Sequence, residues 1–600
     1  MRVGVDTGGT FTDVVADDGR IAKVLSTRDD PSSAVAAAIV EVAAEGSLER
    51  LSHGTTVATN ALLERRGAVV ALVTNDGFTD VIEIARQDRP SLYDIFADRP
   101  EPLVARALRF GVTGRRSANG DELLAVGPAP AIPDEVESVA VCLLHADLSP
   151  DHERAIAEVL RERGLDVTCS HELSPEFREY ERTVTTVINA YLRPPCRTYL
   201  QRLEPLAAEV LVMTSAGGLT SLDDAADRPA ALLLSGPAGG VAAAAAASVA
   251  AGFPDCVTFD MGGTSTDVCL IRDGRPEPAA QRDVGGFPVR LPSLDVHTIG
   301  AGGGSIARID AGGALRVGPG SAGAHPGPAC YGRGGTEPTV TDANVVLGRI
   351  PAAASFPGLG ALDRSAAASA LSGAGVTADG VVAVVDEAMT QAVRAVTVER
   401  GVDPRQLALV AFGGAGPLHA CAIAESLGMG AVIVPPRAGV LSAAGILAAA
   451  RQVDLVRSWP DPGDHEGLGR ALDELTDAAL GLLNAGDGSG PASDLEAARS
   501  LDCRYRGQSH EITVPSVDAF HDEHASRNGY SRTEAPVEVV AVRVSLRETP
   551  SVALAELPAP GGRAPATGPA VLAEPDCTVW VADGWSAEVH ASGSWILRRA

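Results

Sequence analysis

Two octapeptides in this chain are built for the same chemistry. Residues 6–13 read DTGGTFTD and residues 260–267 read DMGGTSTD, identical at six of eight positions. Each follows a short strand-like run, MRVGV before the first and CVTF before the second. Gly8-Gly9 and Gly262-Gly263 carry no side chains, so backbone N–H groups of such turns approach a phosphate closely. Thr7, Thr10, Thr12, Thr264, Ser265 and Thr266 surround the turns with hydroxyl donors. Asp6 and Asp260 end the incoming strands, so their carboxylates point into one cleft. A carboxylate there has no use for a bare phosphate. It serves a hydrated Mg²⁺, or a water or oxygen that it orients or deprotonates. Asp13 and Asp267 close the turns and cap them. One such turn alone reads equally well as a plain β-turn. Two copies, each opening one half of the chain, read as two halves of a phosphate clamp.

Composition narrows the alternatives. The formal charge is -28, which leaves no large basic surface for nucleic acid or an anionic membrane. The one lysine, Lys23, sits in a strand-like segment, RIAKVLS, and no GxxxxGK[ST] exists, so a Walker-type phosphate loop is excluded. Schiff-base chemistry is equally disfavoured. HExxH, G-x-S-x-G and a Cys/His/Asn set are absent, which suits chemistry carried by a nucleotide. Nine scattered cysteines with no CxxC fit buried thiols in a cytoplasmic protein, and the chain begins on a strand, MRVGV, rather than a signal peptide. The Ala-rich run VAAAAAASVAAG is too short for a bilayer and reads as a packed helix.

The elements that position the octapeptides follow from periodicity. From residue 1 the chain alternates strands and helices, including a hairpin that turns at Asp18-Gly19 and a helix DHERAIAEVLRERG with apolar residues at i, i+3, i+4. From about 175 the phrasing restarts with a helix ended by the pair Pro194-Pro195, then a second hairpin. Beyond about 455 come linker-like stretches at 459–467 and 485–494, then short strands. The expectation is an α/β protein with units at 1–175 and 176–455 and a small β-rich C-terminal domain at 456–600.

A third glycine turn completes the pattern. LVAFGGAGPLHA places Gly413, Gly414 and Gly416 between a buried strand and a helix N-terminus. Two hairpins in order with such a turn resemble the actin, sugar-kinase and 70-kDa chaperone ATPase superfamily. That resemblance implies two pseudo-symmetric actin-like (ribonuclease H-like) domains around a nucleotide cleft, with Gly413, Gly414 and Gly416 as the adenosine loop.

A closer resemblance covers nearly the whole chain. SHGTTVATNALLERRG, SGPAGGV, TFDMGGTSTDV, DVHTIGAGGGSIA, SAGAHPGPACYGRGGTEPTVTDANVVLGR and AFGGAGPLHA occur in order, with CRYRGQSHEITVP in the tail. Together they are similar to the hydantoinase A / 5-oxoprolinase family. The resemblance implies ATP and Mg²⁺ as cofactors and a small cyclic amide (5-oxoproline, a hydantoin or a related lactam) as substrate. It also implies a separate hydantoinase B-type partner. Asp6 and Asp260 would then serve the metal and the reacting oxygen. Three other readings stay open: the ATP-hydrolysing subunit of an acetone-type ketone carboxylase, an actin-like regulatory ATPase, and a small-molecule kinase. The long Gly-Pro block at 299–348 is unlike the last two.

Other polar residues carry weaker signals. His53, Thr55, Thr56 and Asn60 form a loop that binds phosphate or substrate, or caps a helix. Arg86, Asp88, Arg89 and Tyr93 offer an arginine fork to a carboxylate-bearing substrate, or form a solvated loop. Asp295 and His297 are a possible metal pair, or organise their loop. Asp342 and Asn344 lie in TVTDANVV, and His325 and Tyr331 flank a proline-stiffened turn.

Overall fold

The computed structural model describes residues 1–600 except 28–29, 44–47, 88, 352–354, 357–359, 486–494, 559–560 and 600. Asp88 and nearly all of the expected linker at 485–494 therefore lie outside the described residues.

The fold is mixed α/β. Its first sheet opens with β1 (Arg2–Thr7), β2 (Phe11–Ala16) and β3 (Ile21–Leu25), an antiparallel meander. β4 (Arg50–Thr55) then adds parallel to β1. Two strands from far along the chain complete it. Glu209–Met213 lies parallel to β4, and Leu219–Ser221 forms the edge. Fully buried Val3, Val5, Val14 and Leu51 explain why this run of small and β-branched residues holds as central strand.

The second sheet repeats the wiring. Cys256–Met261 and Thr266–Arg272 form an antiparallel hairpin, Ala408–Phe412 adds parallel to the first strand, and Val432–Val434 adds parallel beyond it. The registers coincide as well: Asp6 faces Asp13 in the first hairpin, and Asp260 faces Asp267 in the second. The repeated octapeptide is thus a repeated backbone device.

Strand pairing joins segments far apart in the sequence. The first sheet takes Glu209–Met213 and Leu219–Ser221, so it extends well past residue 175. The chain between β4 and Glu209 holds a small parallel sheet of Val70–Asn75, Arg109–Val112, Ser138–Val141 and Asp166–Cys169, with its own core around Leu143, Ile156 and Leu160. The strands of the tail join two sheets. Gln452–Ser458, Leu495–Tyr505, Ile512–Val514 and Val537–Glu548 form an antiparallel sheet around Tyr505 and Phe520. Ala566–Thr567, Trp585–Val589 and Trp595–Arg599 instead extend the second sheet, with Trp595–Arg599 antiparallel to Val432–Val434. Their buried Trp585, Trp595 and Leu597 belong to that sheet's core.

The pair Pro194-Pro195 does not end its helix, which runs from Glu179 to Gln201. Each proline costs about 3 kcal/mol in a helix interior. Cys196, Tyr199 and Leu200 beyond them are buried in the first core, and that packing outweighs the lost bonds. Among the described residues no single helix is long and apolar enough to cross a membrane.

One short helix, Leu441–Leu447, ties the halves together. A Cβ on Gly4 of β1 would overlap the Ala443 carbonyl, and one on Gly445 would overlap the Gly239 carbonyl of helix Gly236–Ala250. Three backbones meet where only glycine leaves room. Gly445→Ala is expected to destabilise the protein by about 1–3 kcal/mol through overpacking, seen as a lower denaturant midpoint.

Candidate active site

A cavity of about 420 Å³ lies between the two sheets and is lined from both. The first hairpin contributes Asp6, Gly8, Gly9, Thr10 and Asp13, and the second contributes Asp260, Gly262, Gly263, Thr264, Ser265 and Asp267. Gly413 and Gly414 add a third wall, and Thr55, Thr56 and Asn60 a fourth. The turn tips abut: a Cβ on Gly263 would lie 2.8 Å from Thr10 Oγ1, and one on Gly9 3.8 Å from Thr264 Oγ1.

Each turn keeps its tip amides available. The Gly8 N–H donates to the Phe11 carbonyl and the Gly262 N–H to the Ser265 carbonyl, both at 3.0 Å. Among the described residues the N–H groups of Gly9, Thr10, Gly263 and Thr264 have no acceptor. The second turn is braced from behind by the GAGGGS loop, where Gly303 and Gly304 donate to the carbonyls of Gly262 and Gly263 at 3.0 and 2.7 Å. Helix Gly236–Ala250 starts at the cavity, and a Cβ on Gly236 would sit 3.5 Å from Asp6 Oδ1. Its N-terminus favours negative charge there.

Asp6, Asp13, Asp260 and Asp267 of the hairpins share the cavity with one cation, which pairs with Asp13. Lys23 Nζ donates to Asp13 Oδ1 and Oδ2 at 2.7 and 2.9 Å and to the Gly439 carbonyl at 3.1 Å. Lys23 is therefore part of the site, not of an ordinary strand. The signal was in the sequence: a hairpin turning at Asp18-Gly19 sets residue 23 opposite residue 13. Asp576 also lines the cavity and accepts from the Gly439 N–H at 2.8 Å. Nothing in the sequence tied that distant residue to the hairpins.

Burial raises the Asp6 carboxyl well above the usual range, and neighbouring Asp13 and Asp260 add to the rise while Lys23 opposes it. Burial, then the charge of Asp267, pushes Asp260 up to about 7. Asp267 is pushed to about 6 by burial, although its Oδ1 accepts from Thr298 Oγ1 at 2.5 Å. Asp13 is raised less freely, because Lys23 holds its charge. Asp6 Oδ1 is buried with no hydrogen-bond partner. Buried carboxylate oxygens with excess negative charge suit a hydrated divalent cation such as Mg²⁺, although among the described residues the hairpin aspartates form no group of three ligands close enough to hold a bare ion.

The shifts fix a sign. Carboxyls whose pKa is raised by folding favour the native state below the unfolded value near 3.8, and that contribution is lost as pH rises through about 6 to 7. Asp267→Asn is therefore expected to raise the melting temperature relative to wild type at pH 8, and to lose that advantage as pH falls from about 6 to below 3.8, measured without metal or nucleotide.

Several expected site residues lie elsewhere. Thr7, Thr12 and Thr266 are buried behind the turns; Thr266 Oγ1 donates to the Ala301 carbonyl at 2.6 Å. Gly416 is buried at its helix start against the Phe259 carbonyl. His53 is fully buried, bonds Tyr199 Oη at 2.7 Å, and has its pKa depressed to about 3 by burial. It supports the sheet and does not line the cavity. Arg86 pairs with both oxygens of Glu181, the Nε contact being 2.8 Å, so its fork is already taken. Tyr93 is 97% exposed. Asp295 pairs with Arg400, and His297 faces Val268 in a strand pair. Among the described residues neither belongs to a group of three potential metal ligands.

The sequence profile for hydantoinase/oxoprolinase matches residues 182–454, and that for the hydantoinase/oxoprolinase N-terminal region matches 2–164. The chain belongs to the hydantoinase/oxoprolinase family. It is 35% identical to the caprolactamase subunit alpha of Pseudomonas jessenii over 91% of this chain and 86% of that one. It is 31% identical to the 5-oxoprolinase of Saccharomyces cerevisiae over 88% of this chain but 47% of that one. Among solved structures, the ATP-dependent caprolactamase of Pseudomonas jessenii superposes with a TM-score of 0.84 at 31% identity, covering 100% of both chains. A nucleotide-free acetone carboxylase superposes at 0.77 with 24% identity, covering 100% of this chain and 99% of the other, a likeness of fold.

Proposed function

We propose that this chain is the ATP-using subunit of a cyclic-amide hydrolase acting on 5-oxoproline, a hydantoin or a related lactam. The observation that carries the reading is the paired hairpins, with matching register, free tip amides and four converging carboxylates in one cavity. The repeated sheet wiring supports two actin-like, ribonuclease H-like halves around a nucleotide cleft. The relatives named for caprolactam and 5-oxoproline favour the amidase among the family's reactions.

An amide carbonyl is a poor electrophile. Transfer of the γ-phosphoryl group to the amide oxygen forms a P–O bond there, breaks the bond to the β-phosphate and releases ADP. The carbon then accepts water, and ring opening with loss of phosphate gives the open-chain amino acid. The cleft's work is alignment and charge stabilisation. The amides of Gly9, Thr10, Gly263 and Thr264 cradle phosphate oxygens, with Thr10, Thr264 and Ser265 as hydroxyl donors. Gly413 and Gly414 lie along the nucleoside. Asp6 and Asp260 would hold Mg²⁺, which would supply charge to neutralise the phosphates. Asp6, with an unpartnered oxygen, orients a water. Thr55, Thr56 and Asn60 line the same cavity and would meet the substrate.

The yeast 5-oxoprolinase is about twice as long as the stretch matched here, and the caprolactamase relative is named as a subunit. Both support a hydantoinase B-type partner that handles ring opening. All nine cysteines are free and buried, which supports a cytoplasmic location. The test is co-expression with the partner and measurement of ADP release against 5-oxoproline, hydantoins, lactams, and ketones with bicarbonate. Lactam-dependent release is expected. Release only with a ketone and bicarbonate would favour the carboxylase; release only with a sugar or a polypeptide would end the amidase reading.

A further inference from the structure

Part of the cavity wall is apolar. Tyr331, Ile350, Ala415 and Leu418 line it and pack in one cluster with Val345 and Leu362. Set into this wall is one amide, Asn344, only 1% exposed. Its Nδ2 lies 3.1 Å from the Val340 carbonyl oxygen and 3.2 Å from His419 Nε2. Its Oδ1 is buried and has no partner.

The amide cannot be turned over. Exchanging O for N would set Oδ1 against the Val340 carbonyl, two acceptors face to face. The imidazole makes the same demand. In the tautomer whose Nδ1 donates to Asp386 Oδ1, 2.6 Å away, Nε2 accepts from Asn344. Half-buried Asp386 with buried His419 and Asn344 forms a relay whose result is a carbonyl oxygen fixed in place without a donor. The helix bearing Asn344, Val340–Val346, is itself pinned. Asp342 accepts from the N–H groups of Ala329, Cys330 and Thr339, which also fixes the turn that carries Tyr331. A buried acceptor this firmly held and left unpaired is costly unless a ligand pairs it.

We propose that Asn344 reads the nucleotide base. Its Oδ1 accepts a hydrogen bond from an exocyclic amino group, as on adenine, while the apolar residues beside it cover the ring. A base with a carbonyl oxygen at that position, such as hypoxanthine or guanine, would oppose two acceptors. A ring with hydrogen there would leave Oδ1 unpaired. Asp386 and His419 are positioning residues for this contact. The proposal rests on the reading that the cleft takes ATP.

The experiment is calorimetric titration of the full chain with ADP, IDP and purine riboside 5′-diphosphate, all with Mg²⁺. Wild type is expected to bind ADP at least about 10-fold more tightly than either analogue. Asn344→Leu, checked for folding by its melting curve, is expected to bind all three alike. Equal affinity of wild type for ADP and the purine analogue would overturn the assignment without needing any variant. So would an undiminished ADP preference in Asn344→Leu. Failure of wild type to bind any of the three would overturn the nucleotide reading of the cleft, and this inference with it.

Discussion

Asp260→Asn is expected to lower lactam-dependent ATP turnover by about 10²- to 10³-fold, the usual cost of removing one preorganised charge-stabilising group. The substitution keeps the shape of the side chain. Its Oδ2 accepts from Ser442 Oγ at 3.4 Å, and the substituted amide still fits beside that hydroxyl. What is lost is the negative charge that, in the proposed function, would hold the metal and set the reacting oxygens. A pKa near 7, raised by burial and by Asp267, also means that the free enzyme gains this charge only as pH rises through neutrality. The kcat/KM of wild type should therefore climb between about pH 6 and 8, and the climb should vanish in the variant. Asp6→Asn should lose activity to a similar degree, because the unpartnered Asp6 Oδ1 has no other task in the fold. Both variants should melt at or above the wild-type temperature at pH 8, since each removes a buried charge among like charges. Full lactam-dependent turnover in either one would remove that aspartate from the mechanism.

The second large effect falls on Gly413. Its φ is +79°, which side chains rarely adopt, and its N–H donates to the Ala438 carbonyl at 2.8 Å. A Cβ there would overlap Asp260 Oδ1 and lie 2.5 Å from the Met261 carbonyl oxygen. Backbone strain and displaced neighbours together are expected to cost Gly413→Ala about 2–4 kcal/mol of stability. The displaced carboxylate should also weaken Mg·ADP binding by at least about 10-fold. Gly414 next to it is the control, because a Cβ there meets nothing within 4 Å. Gly414→Ala should therefore leave stability unchanged, so equal melting temperatures for the two variants would contradict the steric account.

The hairpins were legible because one local phrase encodes both the turn and the residues around it. Repeating DxGGTxTD repeated the register, down to Asp6 against Asp13 and Asp260 against Asp267. Local phrases say little about which distant strand pairs with which. Glu209–Met213 joining β4, and Trp595–Arg599 joining Val432–Val434, are pairings across long sequence gaps that no local phrase announces. His53 misled for a related reason. A polar loop motif has the same letters whether its histidine faces a cleft or, as here, Tyr199 behind the sheet. Asn344 and Lys23 sat in noticed segments, but their value depends on partners that only folding supplies, His419 in one case and Gly439 in the other.

The lone lysine also makes the protein its own reporter. An amine-acylating reagent meets two reactive nitrogens in this chain, the N-terminus and Lys23. All three Lys23 hydrogen bonds end on Asp13 or on the Gly439 carbonyl. Acylation requires those contacts to loosen first. The yield of one modified peptide, read by mass spectrometry, would thus time the opening of the cleft, and nucleotide should slow it, with no engineered label needed.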